Sequence, residues 1–332
     1  MAHNTRIPNT FGISVCAREY IEYTSVEQLK QLLQQYRGQQ ILPIGAGSNL
    51  LFTKDFDGIV FHSRICSARA LQEDDRGVDI EVGAGVVLDD LIAQVVDMGL
   101  YGMENLSHIP GEVGASAIQN VGAYGVEAKD IIKEVHAIAI ATGEPRVFTN
   151  EECHYGYRES IFKNELQGQY IVTHVVYHLS KEPTPCLEYG NLKAALGTAE
   201  CTPSAIRETI IHIRKQKLPD PEDLGSAGSF FKNPVVSEEQ FAAILLAEGK
   251  QETDIPHYRT AQGVKIPAAW LIEQCGWKGK AMGGAQVYEK QPLVIVNTGT
   301  ATPDDIVRLA DSIIQSIRNR FGITLSPEVN YI

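Results

Sequence analysis

The segment Ile109-Pro110-Gly111-Glu112-Val113-Gly114-Ala115-Ser116-Ala117-Ile118-Gln119-Asn120-Val121-Gly122-Ala123-Tyr124-Gly125 decides how the rest of the chain is read. Its four glycines and three alanines in 17 residues suit neither a helical nor a strand period. Small residues let the backbone approach a flat or phosphorylated ligand, and Ser116, Gln119 and Asn120 offer directional hydrogen bonds. A plain glycine-rich linker would share this composition, but linkers seldom interleave Ile109, Val113, Ile118, Val121 and Tyr124. The segment is therefore expected to be a ligand loop within a compact domain.

A second glycine cluster lies upstream, where the apolar run Ile41–Ile44 enters Gly45-Ala46-Gly47-Ser48-Asn49. Two glycines after a strand can turn main-chain N–H groups toward a pyrophosphate, and Ser48 and Asn49 add side-chain donors. This is not the dinucleotide fingerprint GxGxxG, because position 50 is leucine, and no GxxxxGK[ST] occurs anywhere. Alone it fits an ordinary tight turn as well as a phosphate-binding one.

Around these loops the first half mixes short strands with a few helices. Ser25–Tyr36 reads as a helix with Ser25 and Gln28 as a capping box and Gly38 as its stop, and Val87–Met98 as a second helix ending at Gly99. Strand character is read at 59–61, 78–82, 135–140, 146–148 and 171–179. A boundary is expected near 200–225, where the basic, helix-like 206–217 leads into Leu218-Pro219-Asp220-Pro221. Helices follow at 237–248, 267–275 and 303–321, the last with Thr302 as N-cap, Pro303 at its first position and Gly322 as C-cap. The tail 323–332 is extended.

Composition excludes several classes. Hydrophobic residues make up 44% and charged residues 21% of the 332, and mean hydropathy is −0.12, an ordinary globular profile. No apolar run approaches the roughly 20 residues of a membrane span, and the polar start carries no secretory signal. The six cysteines are scattered, the nearest two 15 residues apart, so neither a zinc site nor a disulfide framework is expected, and reduced thiols in the cytoplasm are. The net charge of −12 repels nucleic acid, and also any anionic cofactor or substrate, which local N–H nests and placed cations must then hold.

The two glycine segments resemble the UDP-N-acetylenolpyruvoylglucosamine reductase family of peptidoglycan-precursor enzymes, within the flavoprotein superfamily of vanillyl-alcohol-oxidase type. The resemblance continues, in order, through Gly156-Tyr157-Arg158-Glu159-Ser160, Tyr189-Gly190, Lys217-Leu218-Pro219-Asp220-Pro221, Gly228-Ser229-Phe230-Phe231-Lys232-Asn233-Pro234, Gly283-Gly284-Ala285 and Pro327-Glu328-Val329. Each motif is modest, but the ordered set spans nearly the whole chain. The implied fold is α+β: a two-lobed FAD-binding domain of vanillyl-alcohol-oxidase type (1–70 and 71–215, to which the tail 323–332 is expected to return) plus a C-terminal α+β substrate domain (216–322).

The resemblance implies that FAD, bound without a covalent link, is contacted by Gly45, Ala46, Gly47, Ser48 and Asn49 and by Gly111, Gly114, Ser116, Gln119, Asn120 and Tyr124. It further implies that NADPH reduces the flavin and leaves, and that UDP-N-acetylglucosamine enolpyruvate takes its place. Hydride then passes from flavin N5 to C3 and a proton is added at C2. Arg158, Ser229 and Glu328 are the implied catalytic set, with Tyr189, Lys217, Asn233 and Gln291 on the substrate.

The residue types suit these roles. Hydride arrival drives charge onto the substrate carboxylate, which a guanidinium such as Arg158 meets bidentately without losing its proton. Ser229 would supply the proton, and a buried Glu328 kept protonated would donate a hydrogen bond to the same charge. Without the surrounding matches, Arg158 reads as a surface turn residue, Ser229 as a cap or turn, Glu328 as a solvated tail residue and Lys217 as part of a solvated helix face. Tyr189 belongs to a tyrosine loop that only the longer type of the family carries. Glu112 puts an acid in a flavin loop, and its sequence context offers no account beyond a side chain turned away from the diphosphate. The chain is expected to act as a monomer without metal. The rivals are an alcohol or lactone oxidase on the same scaffold and a non-catalytic flavin or UDP-sugar binder.

Overall fold

The computed structural model describes residues 5–332, which divide into two compact units. The first comprises residues 5–7, Cys16–Ala46 and Phe56–Arg214; the second comprises Pro8–Val15, Gly47–Asp55 and Lys215–Ile332. The Gly45–Asn49 turn thus begins in one unit and ends in the other.

The first unit holds two larger sheets and the short pair Gly122–Ala123 with Val126–Glu127. In one, Cys16–Tyr23, Phe56–Ser63 and Ile41–Ile44 run parallel, with Thr5–Arg6 antiparallel at the edge. The helix Val26–Gln35 covers it, burying Leu29 and Leu33 against Tyr23, Ile59 and Phe61. Ser25 Oγ accepts from Gln28 N–H at 3.1 Å as expected of a cap, while the Gln28 side chain accepts from Thr24 N–H rather than from Ser25. The second sheet is antiparallel, ordered 145–149, 132–139, 170–180, 77–83, 68–73. Its apolar face packs on the helix Leu88–Asp97, whose Leu91, Ile92, Val95 and Val96 are buried. The strand Ala68–Glu73 straddles residue 70, so the expected division there falls inside one sheet.

The glycine-rich segment 109–125 contains a seven-residue helix, Val113–Gln119, which the sequence pattern does not announce. Five of its residues are buried, so no polar face remains to give the usual amphipathic contrast. A Cβ on Gly114 would stand 2.7 Å from that of Ala84, so this helix reaches the strand side only because position 114 has none.

In the second unit, a sheet ordered 225–229, 294–297, 285–287, 281–282 carries the long helix Pro303–Phe321. Its Thr302 N-cap, first-position proline and Gly322 stop match the sequence expectation, Asp305 completes a capping box, and Ile306, Leu309, Ile313 and Ile317 are fully buried. Asp305 accepts from Gly284 N–H and from Thr302, which accounts for the Gly283-Gly284 pair: a Cβ on Gly283 would overlap that carboxylate. The tail returns as Asn330–Tyr331, parallel to Leu50–Leu51. Both strands belong to the second unit, so the tail returns there and not to 71–215. Among the described residues no helix is long and apolar enough to cross a membrane, and the cysteines form no disulfide.

Candidate active site

In the first unit the buried helix Val113–Gln119 presents Ser116 and Gln119. Ser116 Oγ donates to the Val113 carbonyl at 2.7 Å and lies 3.4 Å from the Tyr177 hydroxyl. Gln119 is 8% exposed, and its Oε1 accepts from Lys163 Nζ at 2.7 Å. Its Nε2 is buried with no hydrogen-bond partner, an expensive condition for an amide in a protein interior. An acceptor on a bound cofactor would remove that cost. Asn120 ends the helix in a left-handed conformation (φ 48°) and is fully buried; it donates to Gly156 O at 2.8 Å and accepts from Lys129 N–H at 2.9 Å.

Arg158 grips the same loop. Its guanidinium donates to the main-chain carbonyls of Asn120 and Gly122 and lies 3.5 Å from Glu127. Its own backbone is left-handed at φ 59°, as are Asn120 and Tyr124. Non-glycine residues pay a steric cost there, and such strain gathers where a structure has a function to serve. Tyr189, 39% exposed, lies over Gly125, whose added Cβ would be 3.3 Å from that of Tyr189 and 2.9 Å from Cys186 Sγ. Tyr124 packs against the neighbouring cluster of Leu192, Ile206, Ile210 and Ile213, and burial pushes its phenol up while the Arg214 cation opposes.

In the second unit Ser229 closes the strand Gly225–Ser229. The register against Val294–Asn297 shifts between Ser226 and Ser229, and Gly228 within that bulge has φ +68°. A bulge of this kind re-aims the side chain that follows it. Ser229 is thus neither a helix cap nor a free turn. The next two residues anchor it: Phe230 and Phe231 are buried at 5.0 Å centroid separation, and Phe230 also meets Phe11 and Tyr331. Glu328 is half-buried, and its N–H donates to Phe230 O at 2.8 Å. Asn49 Nδ2 donates to Glu328 O at 3.2 Å. Three residues from opposite ends of the sequence, Asn49, Ser229 and Glu328, are therefore joined through hydrogen-bonded backbone.

The substrate-side candidates of this unit are more dispersed. Asn233 Oδ1 accepts from Ala268 N–H at 2.8 Å, capping the helix Ala268–Gln274. Lys217 is the exposed last residue of the helix Pro203–Lys217. Gln291 closes a local turn onto Leu293 at 3.5 Å. Sequence reading missed His62, which accompanies Glu112 at 2.8 Å; an imidazole directly after the apolar run 59–61 was the available signal.

The glycine positions leave room for main chain alone. A Cβ on Gly47 would come 2.7 Å from Pro8 O, and one on Gly45 3.1 Å from Glu112 Oε2. Close backbone, an orphaned buried amide and few cations fit an uncharged ring system joined to a diphosphate held by N–H groups. This fold and site define an FAD-dependent oxidoreductase, and residues 17–149 match the FAD binding domain family. Residues 220–332 match the C-terminal domain of UDP-N-acetylenolpyruvoylglucosamine reductase. The chain is 49% identical to the UDP-N-acetylenolpyruvoylglucosamine reductase of Bacteroides fragilis, covering 98% of this chain and 97% of that one. It is 46% identical to that of Porphyromonas gingivalis, with 98% and 96% covered. The crystal structure of the Thermus caldophilus enzyme shares the fold at TM-score 0.66 and 23% identity, over 100% of this chain and 99% of that one. The chain belongs to the UDP-N-acetylenolpyruvoylglucosamine reductase family. Its cofactor is FAD and its reductant NADPH, and the oxidase and non-catalytic readings are not favoured.

Proposed function

We propose that this chain reduces UDP-N-acetylglucosamine enolpyruvate to UDP-N-acetylmuramate in the cytoplasm, as a monomer, with Ser229 as proton donor and Arg158 and Glu328 stabilising the charge that develops. FAD held by the two glycine segments would supply the hydride chemistry that links NADPH to the enolpyruvyl carbon C3. The observation that carries the reading is the Glu328 N–H to Phe230 O bond, which sets Glu328 beside the residue following Ser229.

Ser229 transfers its hydroxyl proton to C2. A serine is a weak acid, so it must be oriented at a strongly basic carbon, and the bulge at Gly228 with the buried Phe230-Phe231 pair supports that orientation. Arg158 receives the substrate carboxylate. Its 3.3 Å contact to the neutral Asn120 carbonyl is the one a substrate carboxylate would displace, because charge-assisted pairs are shorter and stronger. Glu328 in its acid form donates a hydrogen bond to the same charge. Gln119, Ser116 and the glycines at 45, 47, 111 and 114 hold the cofactor, with Ala46, Ser48, Asn49, Asn120 and Tyr124. Tyr189, Lys217, Asn233 and Gln291 meet the UDP-sugar, with Lys217 supplying a cation for its diphosphate.

The test separates the two half-reactions by stopped-flow absorbance of the flavin. Bleaching by NADPH followed by recolouring on addition of the enolpyruvyl UDP-sugar supports the reading. A protein that bleaches but never recolours with that substrate rejects it.

A further inference from the structure

Glu112 is the acid that the cofactor loop does not explain by itself, and the structure supplies its partners. Its side chain is 5% exposed, and Oε1 lies 2.8 Å from His62 Nε2, whose ring is equally buried. His62 Nδ1 lies 2.6 Å from the Tyr20 hydroxyl. Burial first, and then the Glu22 carboxylate, push the Tyr20 phenol up to about 12, so it keeps its proton. The Tyr20 hydroxyl donates to Nδ1, which leaves the ring hydrogen on Nε2, directed at Glu112 Oε1. This arrangement pairs both ring nitrogens of His62, one with Tyr20 and one with Glu112. The other groups facing it are Glu22, 3.4 Å from Nδ1 but paired with Arg64 at 2.8 Å, and Arg64 itself, 4.0 Å from Glu112.

The location gives this chain its consequence. Tyr20 and His62 stand on the adjacent parallel strands Cys16–Tyr23 and Phe56–Ser63. Glu112 lies between Gly111, at φ +127°, and the buried helix Val113–Gln119. Its second oxygen occupies the space beside Gly45, 3.1 Å from where a Cβ would be. The carboxylate therefore spans three pieces of the first unit: the central sheet, the Gly45 end of the first glycine turn, and the head of the second glycine loop. Held there by the imidazole N–H, the carboxyl group acts as a strut.

We infer that Glu112, oriented by His62 and Tyr20, is a positioning residue that fixes the spacing of the two glycine segments and thereby sets the affinity for FAD. This rests on the placement of the cofactor at those segments. Glutamine at 112 keeps the length and an acceptor for Nε2–H; alanine keeps neither.

The experiment titrates apoprotein with FAD, following quenching of flavin fluorescence, for wild type, Glu112→Ala, Glu112→Gln and Gln119→Leu, with the thermal midpoint of each apoprotein recorded alongside. The expected result is an FAD Kd raised about tenfold in Glu112→Ala, the scale of one hydrogen bond to a charged group, and kept within about threefold in Glu112→Gln. A Kd for Glu112→Ala within about twofold of wild type overturns the inference, even with a lowered midpoint, since a merely structural strut would show in stability alone. Should Glu112→Ala fail to fold, Tyr20→Phe removes one hydroxyl: an FAD Kd raised about threefold supports the strut, and an unchanged one overturns it. Gln119→Leu guards the underlying placement. If it too leaves Kd unchanged, the cofactor lies elsewhere; if it alone weakens FAD, only the strut fails.

Discussion

The main-chain N–H of Glu328 donates to the carbonyl of Phe230 at 2.8 Å, tying a residue near the end of the chain to the one that follows Ser229. Phe231 pairs with Pro327 in the same antiparallel bridge, and Lys232 N–H donates to Ser326 O. The two acid–base candidates of the second unit are thus set by main chain, which tolerates side-chain replacement without losing register.

That rigidity makes Ser229 separable from the fold. Ser229→Ala is expected to leave flavin bleaching by NADPH near normal and to slow reduction of the enolpyruvyl substrate by at least ~100-fold, the scale of a lost general acid. Rapid-mixing traces of each half-reaction check this. Equal slowing in both would remove Ser229 from the proton-transfer role.

Arg158→Lys isolates the guanidinium fork. Lysine meets the same cost at φ 59° as arginine, so stability should change little on that account. Turnover should fall by about 100-fold, since an ammonium cannot bond a carboxylate bidentately. Steady-state kcat is the measurement, and near-wild-type turnover would contradict the clamp.

Gly114→Ala drives a methyl toward Ala84 Cβ across a 2.7 Å gap. Overpacking of this kind costs about 1–3 kcal/mol. Because the same helix carries Ser116 and Gln119, FAD content and thermal midpoint should fall together. Full flavin occupancy in the purified variant would show that the helix does not need to sit so close.

Asp305 provides a pH signature. Hydrogen bonds from the Thr302 N–H and hydroxyl hold its carboxyl down to about 2, below the ordinary value of roughly 3.9. A depressed pKa means that the stabilisation is fully present above about pH 4 and is lost as pH falls through about 2. Asp305→Asn no longer titrates, so between those limits wild type should lose thermal midpoint more steeply than the variant. Parallel slopes in scanning calorimetry would count against this assignment.

Asn49 Nδ2 links the first glycine turn to Glu328 O in the tail at 3.2 Å. Asn49→Ala should slow the substrate half-reaction roughly tenfold, on the order of a lost hydrogen bond at a reacting group. An unchanged rate of flavin recolouring would show that Glu328 needs no such tie.

What the sequence determined by itself is local or linear. The helix Pro303–Phe321 appears with its expected ends because each end signal is local: Thr302 and Pro303 act on the first turn and Gly322 on the last. The ordered motifs named the family because residue identity survives without any knowledge of contacts. Tertiary structure alone decided the rest. The helix Val113–Gln119 was illegible because burial on all sides erased its period. The partners of Glu112 and Glu328 lie 50 and 279 residues away, and no local pattern encodes a hydrogen bond that exists only after such loops have closed.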